Sequence, residues 1–282
     1  MERTRLAWKK YGHDLSATRV GTYERDMKRL VELGPDGRVA LSSEERGQAF
    51  LLGAEISELL FASKIALGCA HLAESPGIAE IFGGPDFASA ENNHNSSNKP
   101  RNTLFELTLA AYIELAGLHA EFGNLTDVRT TFRDFPILIE AKRPQKFEKS
   151  EANIRHAAKQ LAARSADPRE LRLVAICIGK MLTYGTHILR ADTRASMSAQ
   201  LSNTAESFFS TTRRHWEKKE HVDGLLVRIS VTGVIENEQR HFHAAPMPLF
   251  TRPGIARDKA NLLRDFIRAL ESSLPGKSLD DP

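Results

Sequence analysis

The sequence predicts an α/β fold, and three observations carry that prediction. Between positions 42 and 117 apolar residues recur mostly at helical spacing. From about Leu125 the spacing changes to two, and residues 171–178, LRLVAICI, form an almost unbroken apolar run. Helical spacing marks a one-faced helix, and spacing of two marks a half-buried strand. A short continuous apolar run marks a strand buried on both faces.

Residues 1–40 read as short helices and turns. Leu6, Trp8 and Tyr11 are their anchors and Gly34-Pro35-Asp36-Gly37 is a turn signal. Ser42-Ser43-Glu44-Glu45 opens a long helix, because a hydroxyl at the cap and a carboxylate three residues on satisfy each other's free backbone amides. Phe50, Ala54, Leu60 and Leu67 carry it to about Glu74, where Ser75-Pro76-Gly77 ends it. Residues 83–102, GGPDFASAENNHNSSNKPRN, hold one large apolar residue, Phe87. They read as a polar loop or linker between a helical N-terminal region, 1–82, and a domain over 103–282.

A helix is expected from Thr103 to about Gly117, with Leu104, Leu107, Ala111 and Leu115 on one face. Residues 125–132 and 135–142 then read as two strands joined by a turn at Arg133-Asp134. Ser150 starts a helix to about Arg164, the apolar run follows as a buried strand, and 195–219 is helical. Residues 224–234 and 240–250 read as a late pair of strands, on which His241 and His243 alternate as an exposed face. An amphipathic helix over 256–274 closes the chain.

The composition is that of an ordinary globular chain, 41% hydrophobic and 27% charged, with net charge +3. The N-terminus is charged and has no apolar core of a secretory signal. Glu55, Glu58 and Lys64 interrupt the most apolar stretch, 49–72, so no uncharged run reaches the ~18 residues of a bilayer span. The two cysteines, Cys69 and Cys177, lie in apolar surroundings and read as buried free thiols, which suits a reducing cytoplasm. Residues 142–172 carry nine Lys/Arg against four Asp/Glu, and Arg213, Arg214, Lys218 and Lys219 form a second basic cluster. Such patches track phosphate backbones or are solvated helix faces. No P-loop, nucleophile-elbow, HExxH or CxxC pattern occurs.

The residues that carry chemistry end the strand over 135–142. Side chains two apart on a strand share a face, so Glu140 and Lys142 point the same way. A carboxylate and an ammonium at the end of an apolar strand need partners. Asp127, thirteen residues earlier, is a second carboxylate that a short hairpin brings beside Glu140. Paired carboxylates offer Mg²⁺ the hard oxygen ligands it takes, with phosphate and water completing the shell. Asp134 is the rival carboxylate, but it sits at the turn, far from Lys142.

Asp127 followed by Glu140-Ala141-Lys142 resembles the PD-(D/E)XK nuclease superfamily, the restriction endonucleases and related repair and recombination nucleases. The residue before Asp127 is Thr126, where the family pattern has proline. The resemblance covers 103–178 and implies a restriction-endonuclease-like mixed central sheet flanked by helices, here with a helical N-terminal extension. It implies that the acidic-x-Lys triplet lies on the second core strand. It also implies a further glutamate on the preceding helix, matched by Glu106, and a glutamine on the following helix, matched by Gln160.

The implied activity is hydrolysis of DNA phosphodiester bonds with Mg²⁺ or Mn²⁺. Glu106, Asp127 and Glu140 would hold the metal, Lys142 would position or activate water, and Gln160 would steady the site. Arg143, Lys146, Arg155 and Lys159 would contact phosphates. The expected setting is restriction or anti-phage defence in the cytoplasm, acting on DNA, as a homodimer or with a partner subunit and without a membrane. Two alternatives stand beside it: a toxin-like nuclease that cuts RNA, and a catalytically silent nucleic-acid-binding or assembly protein of the same fold.

Overall fold

The computed structural model describes residues 1–34, 41–86, 98–123, 126–164, 167–183, 188–238 and 240–273. The N-terminal region is helical: α1 (Glu2–Lys9), α2 (Arg19–Glu32), α3 (Ser43–Gly68) and the single turn α4 (Ala70–Ala73). Ser42 and Glu45 form the expected capping box at the start of α3. The helix stops earlier than position 74 because Cys69 takes an extended conformation, φ −125° and ψ 95°, between α3 and α4. Trp8 is fully buried as expected, whereas Leu6 is half exposed. Positions 35–37 of the expected turn, residues 87–97 of the polar segment, Leu125 and Leu274 lie outside the described residues, as do the side chains of His241 and His243.

The sheet region begins with α5 (Lys99–Leu115), whose first turn holds Pro100, a place where the missing amide costs nothing. Then come β1 (Ala120–Phe122), β2 (Val128–Phe132), β3 (Phe135–Lys142), α6 (Phe147–Arg164), β4 (Leu171–Cys177) and α7 (Gly179–Thr183). The chain continues through β5 (Leu189–Ala191), α8 (Arg194–Thr212), β6 (Gly224–Arg228), β7 (Val231–Ile235), β8 (Arg240–Ala244), β9 (Leu249–Thr251) and α9 (Arg257–Ser272). A six-stranded mixed sheet has the order β1-β2-β3-β4-β6-β9, and a three-stranded sheet the order β5-β7-β8. In the large sheet β1, β2 and β3 are antiparallel, β3, β4 and β6 run parallel, and β9 returns antiparallel at the edge.

The late pair of strands is thus two split strands. The first leaves the large sheet after Arg228 and enters the small one at Val231, and the second makes the reverse crossing around Pro246 and Pro248. Proline has no amide to give a ladder. Its carbonyls still serve: Val227 N–H donates to Pro248 O and Ile229 N–H to Pro246 O, both at 3.0 Å.

The large sheet is buried on both faces, and its alternation is strict. Ile137, Ile139 and Ala141 of β3, with Leu171, Leu173 and Ala175 of β4 and Leu226 of β6, join the cluster that also holds Trp8, Leu59, Leu107 and Phe266. Leu138, Val174, Ile176, Leu225 and Val227 face the other way, onto Ile154, Ala157 and Leu161 of α6 and Phe208 of α8. The N-terminal helices and the sheet therefore share one core.

Among the described residues no helix is long and apolar enough to cross a membrane. Glu55 and Glu58 of α3 have partners in the fold. Arg101 reaches Glu55 at 3.1 Å. The buried Arg228 reaches Glu58 at 2.5 Å and lies over the Phe105 ring.

Candidate functional site: a carboxylate and lysine cluster

The hairpin β2–β3 builds the site. Its turn has two residues, Arg133 and Asp134, with φ of 48° and 66°. That left-handed pair is the backbone of a type I′ turn, which fits the twist of the flanking strands. Phe132 pairs with Phe135 and Val128 with Ile139. One step further, the same register sets Asp127 against Glu140. Their approach follows from the turn length and not from any attraction between like charges. Asp134 is exposed at the opposite end of β3, about 26 Å of strand away from Lys142.

At the near end, Lys142 Nζ donates to Asp127 Oδ2 at 2.9 Å and to Glu140 Oε2 at 3.1 Å. Asp127 Oδ2 also accepts from the backbone amide of Ala141 at 2.8 Å. Glu140 is completely buried, and its second oxygen pairs with Arg164 Nη1 from the last turn of α6. The two carboxylates thus meet at the ammonium of Lys142, which lies between them.

Burial raises the pKa of Glu140 to about 7, with Asp127 adding to the effect and Lys142 and Arg164 opposing it. Glu106, on α5, is pushed to about 8 by burial and then by the negative charges of Asp127 and Glu140. Lys142 responds the other way. Burial disfavours its charge, but Asp127 and Glu140 outweigh that and hold it above the ordinary lysine value. Three carboxylates therefore share one region, in which Lys142 pairs with Asp127 and Glu140, and Arg164 with Glu140.

Gln160 and Arg164 lie one turn apart on α6 and so share a helix face. Arg164 reaches Glu140, while the Gln160 side-chain oxygen is buried without a hydrogen-bond partner. Such an atom is costly unless something satisfies it. Sequence reasoning singled out Gln160 and missed Arg164, although the i, i+4 spacing from Gln160 was a usable signal.

Of the expected phosphate-binding residues, Lys146 and Lys159 are exposed and Arg143 is half-buried. Arg155 is exposed, but Glu151 pairs with it at 3.5 Å. In the second basic cluster Arg213 pairs with Glu217 at 2.5 Å.

Among the described residues, the three metal-type donors that gather within 4.8 Å of one another lie elsewhere, at His71, Glu114 and His119. Glu121, two residues after His119, faces Arg129 at 3.8 Å. Cys177 is buried as expected, but Cys69 is only partly so. No family model matches the chain, and no curated protein or solved structure matches it at a significant level.

Proposed function

We propose that the protein is a metal-dependent nuclease of the PD-(D/E)XK type, with a restriction-endonuclease-like sheet, that hydrolyses phosphodiester bonds of DNA. One observation carries the reading. Asp127 and Glu140 meet at Lys142 Nζ at the end of a central strand, and the pKa of Glu106 registers both of their charges.

The donor set suits a hard dication. Three carboxylates, two of them with raised pKa values, form a region of excess negative charge, and oxygen donors favour Mg²⁺ or Mn²⁺ over softer metals. Glu106, Asp127 and Glu140 are the residues that would hold the ion. When bound, it supplies positive charge beside the phosphate and a more acidic water.

The chain's own groups have separate tasks. Lys142 is charged and already held in the site, so it can orient a water and donate to the oxygen that gains negative charge. Arg164 fixes the position of Glu140. The unpaired Gln160 oxygen is free to accept from a water or an ordered ligand. Exposed Lys146 and Lys159 contact phosphates without reading sequence.

The test is cleavage of plasmid DNA and of structured RNA with Mg²⁺ or with chelator, in the wild type and in Asp127→Ala and Glu140→Gln. Metal-dependent DNA cleavage that both variants lose is the expected result. Cleavage of RNA alone would move the protein to the toxin-like reading. Binding of nucleic acid without cleavage under any metal would remove the enzyme reading.

A further inference from the structure

A second group of metal-type donors lies where the N-terminal helices meet the start of the sheet. Cys69 links α3 to α4, His71 is in α4, Glu114 is in the last turn of α5, and His119 precedes β1. His71 Nε2 lies 3.0 Å from Glu114 Oε1, and His119 Nδ1 lies 3.7 Å from the same oxygen. Cys69 Sγ lies 3.5 Å from Glu114 Oε2. The two imidazole rings face each other with centroids 4.3 Å apart.

We propose that these residues form a zinc site, with His71 Nε2, His119 Nδ1 and Glu114 Oε1 as ligands and water completing the shell, while the Cys69 thiol donates to the other carboxylate oxygen. Zinc bonds of about 2.0–2.3 Å in a tetrahedron set neighbouring ligand atoms about 3.3–3.7 Å apart. The two distances to Glu114 Oε1, 3.0 and 3.7 Å, fall around that edge length. A simple ion pair between His71 and Glu114 would account for one of those distances only. It gives His119 no reason to turn to the same oxygen, with its ring centroid 4.3 Å from that of His71.

The carboxylate is also oriented for the task, since Glu114 Oε1 accepts the Ala120 amide at 2.7 Å. A ligating carboxylate held by a backbone amide is a usual supporting contact. Two imidazole nitrogens and one carboxylate select Zn²⁺ over Mg²⁺ or Ca²⁺. The role is that of a clasp. Residues far apart in sequence come from α3–α4, α5 and the lead into β1, so the ion would tie the N-terminal helices to the sheet and close the long polar segment between them. This site is independent of the nuclease reading, because none of its residues belongs to the carboxylate and lysine cluster.

The experiment is zinc binding by full-length protein stripped with chelator, carried out in an Asp127→Ala/Glu140→Gln background so that the carboxylate cluster cannot supply the ion site. The probes are Zn²⁺ by calorimetry and metal analysis, and Co²⁺ by absorption. The proposal expects one Zn²⁺ per chain and a rise in Tm on loading. It expects binding at least ~100-fold weaker in His71→Ala and in His119→Ala. It also expects Co²⁺ to give the visible absorption of a nitrogen- and oxygen-ligated ion, which the His71→Ala/His119→Ala double variant abolishes and Cys69→Ala leaves in place. His119 is two-thirds exposed and His71 more than a third, so neither variant disturbs the core, and circular dichroism checks each. Wild-type Zn²⁺ affinity retained in the His71→Ala/His119→Ala double variant would overturn the proposal, as would a chain that binds no Zn²⁺ after loading.

Discussion

Removing the charge of Glu106 should stabilise the metal-free protein above about pH 4.5, and most fully above about pH 8. A glutamate whose pKa is about 8 instead of 4.5 has an ionised form disfavoured by on the order of 4–5 kcal/mol. The folded chain keeps this proton at pH values where the unfolded chain has already lost it. Its contribution to stability therefore falls as pH rises from about 4.5 to about 8 and stays low above that. Water entry and the nearby Lys142 relieve part of the cost, leaving on the order of 2 kcal/mol, which for a chain of this size is about 4–8 °C in Tm. Glu106→Gln keeps the shape and removes the titration. In chelator, the variant should melt about 4–8 °C above the wild type near pH 9 and within about 1 °C of it near pH 5. Mg²⁺ should raise the wild-type Tm near pH 9 and close much of that gap. Melting curves of the two proteins that run parallel across this pH range would show that Glu106 carries no such strain, and the argument from buried like charges would fail with them.

Three further outcomes follow from the same geometry. Lys142→Met should bind duplex DNA nearly as the wild type does but cleave it ~10²–10³-fold more slowly; single-turnover rates within a few-fold of wild type would remove Lys142 from the chemistry. Arg164→Met leaves the fully buried Glu140 with Lys142 as its remaining paired cation and should cost about 2–3 kcal/mol in denaturant unfolding. That is less than a wholly buried pair because Arg164 is one-third exposed, and an unchanged midpoint would contradict it. Asp134→Gly relieves a residue held at φ 66° and should add about 0.5–1 kcal/mol with cleavage intact; loss of cleavage would make Asp134 the metal carboxylate in place of Asp127.

Much of this architecture could be read from residue order, and the parts that could not share a cause. The Ser42–Glu45 box, the apolar run of β4 and the ends of β3 are local signals, each written within a few neighbouring positions. The approach of Asp127 to Glu140 was legible too, because a two-residue turn dictates register. β1 and β5 are each three residues long, too short for any period to show. The crossing of strands between the two sheets is invisible because the apolar pattern runs on through Ile229 while the hydrogen-bonding partner changes. Arg164 escaped because an arginine at a helix end usually meets water, and only the fold shows that it reaches Glu140. Cys69, His71, Glu114 and His119 are brought together by packing between elements distant in sequence, a relation that spacing alone does not encode. The basic cluster around Arg213 read as a surface for polyanions, yet part of its charge is already answered by Glu217.

The tight turn between β2 and β3 makes the distance along the chain from Asp127 to Glu140 a ruler. Each added residue in the turn would slide one strand past the other by a full step. Since successive side chains alternate between faces, a single insertion would leave Asp127 on the opposite face from Glu140 and Lys142, which share a strand and turn together. The exposed turn can exchange its side chains only for others that accept a left-handed backbone, and it can change length only by disassembling the cluster at its other end. A one-residue insertion at positions 133–134 is thus equivalent to deleting a carboxylate some 20 Å distant.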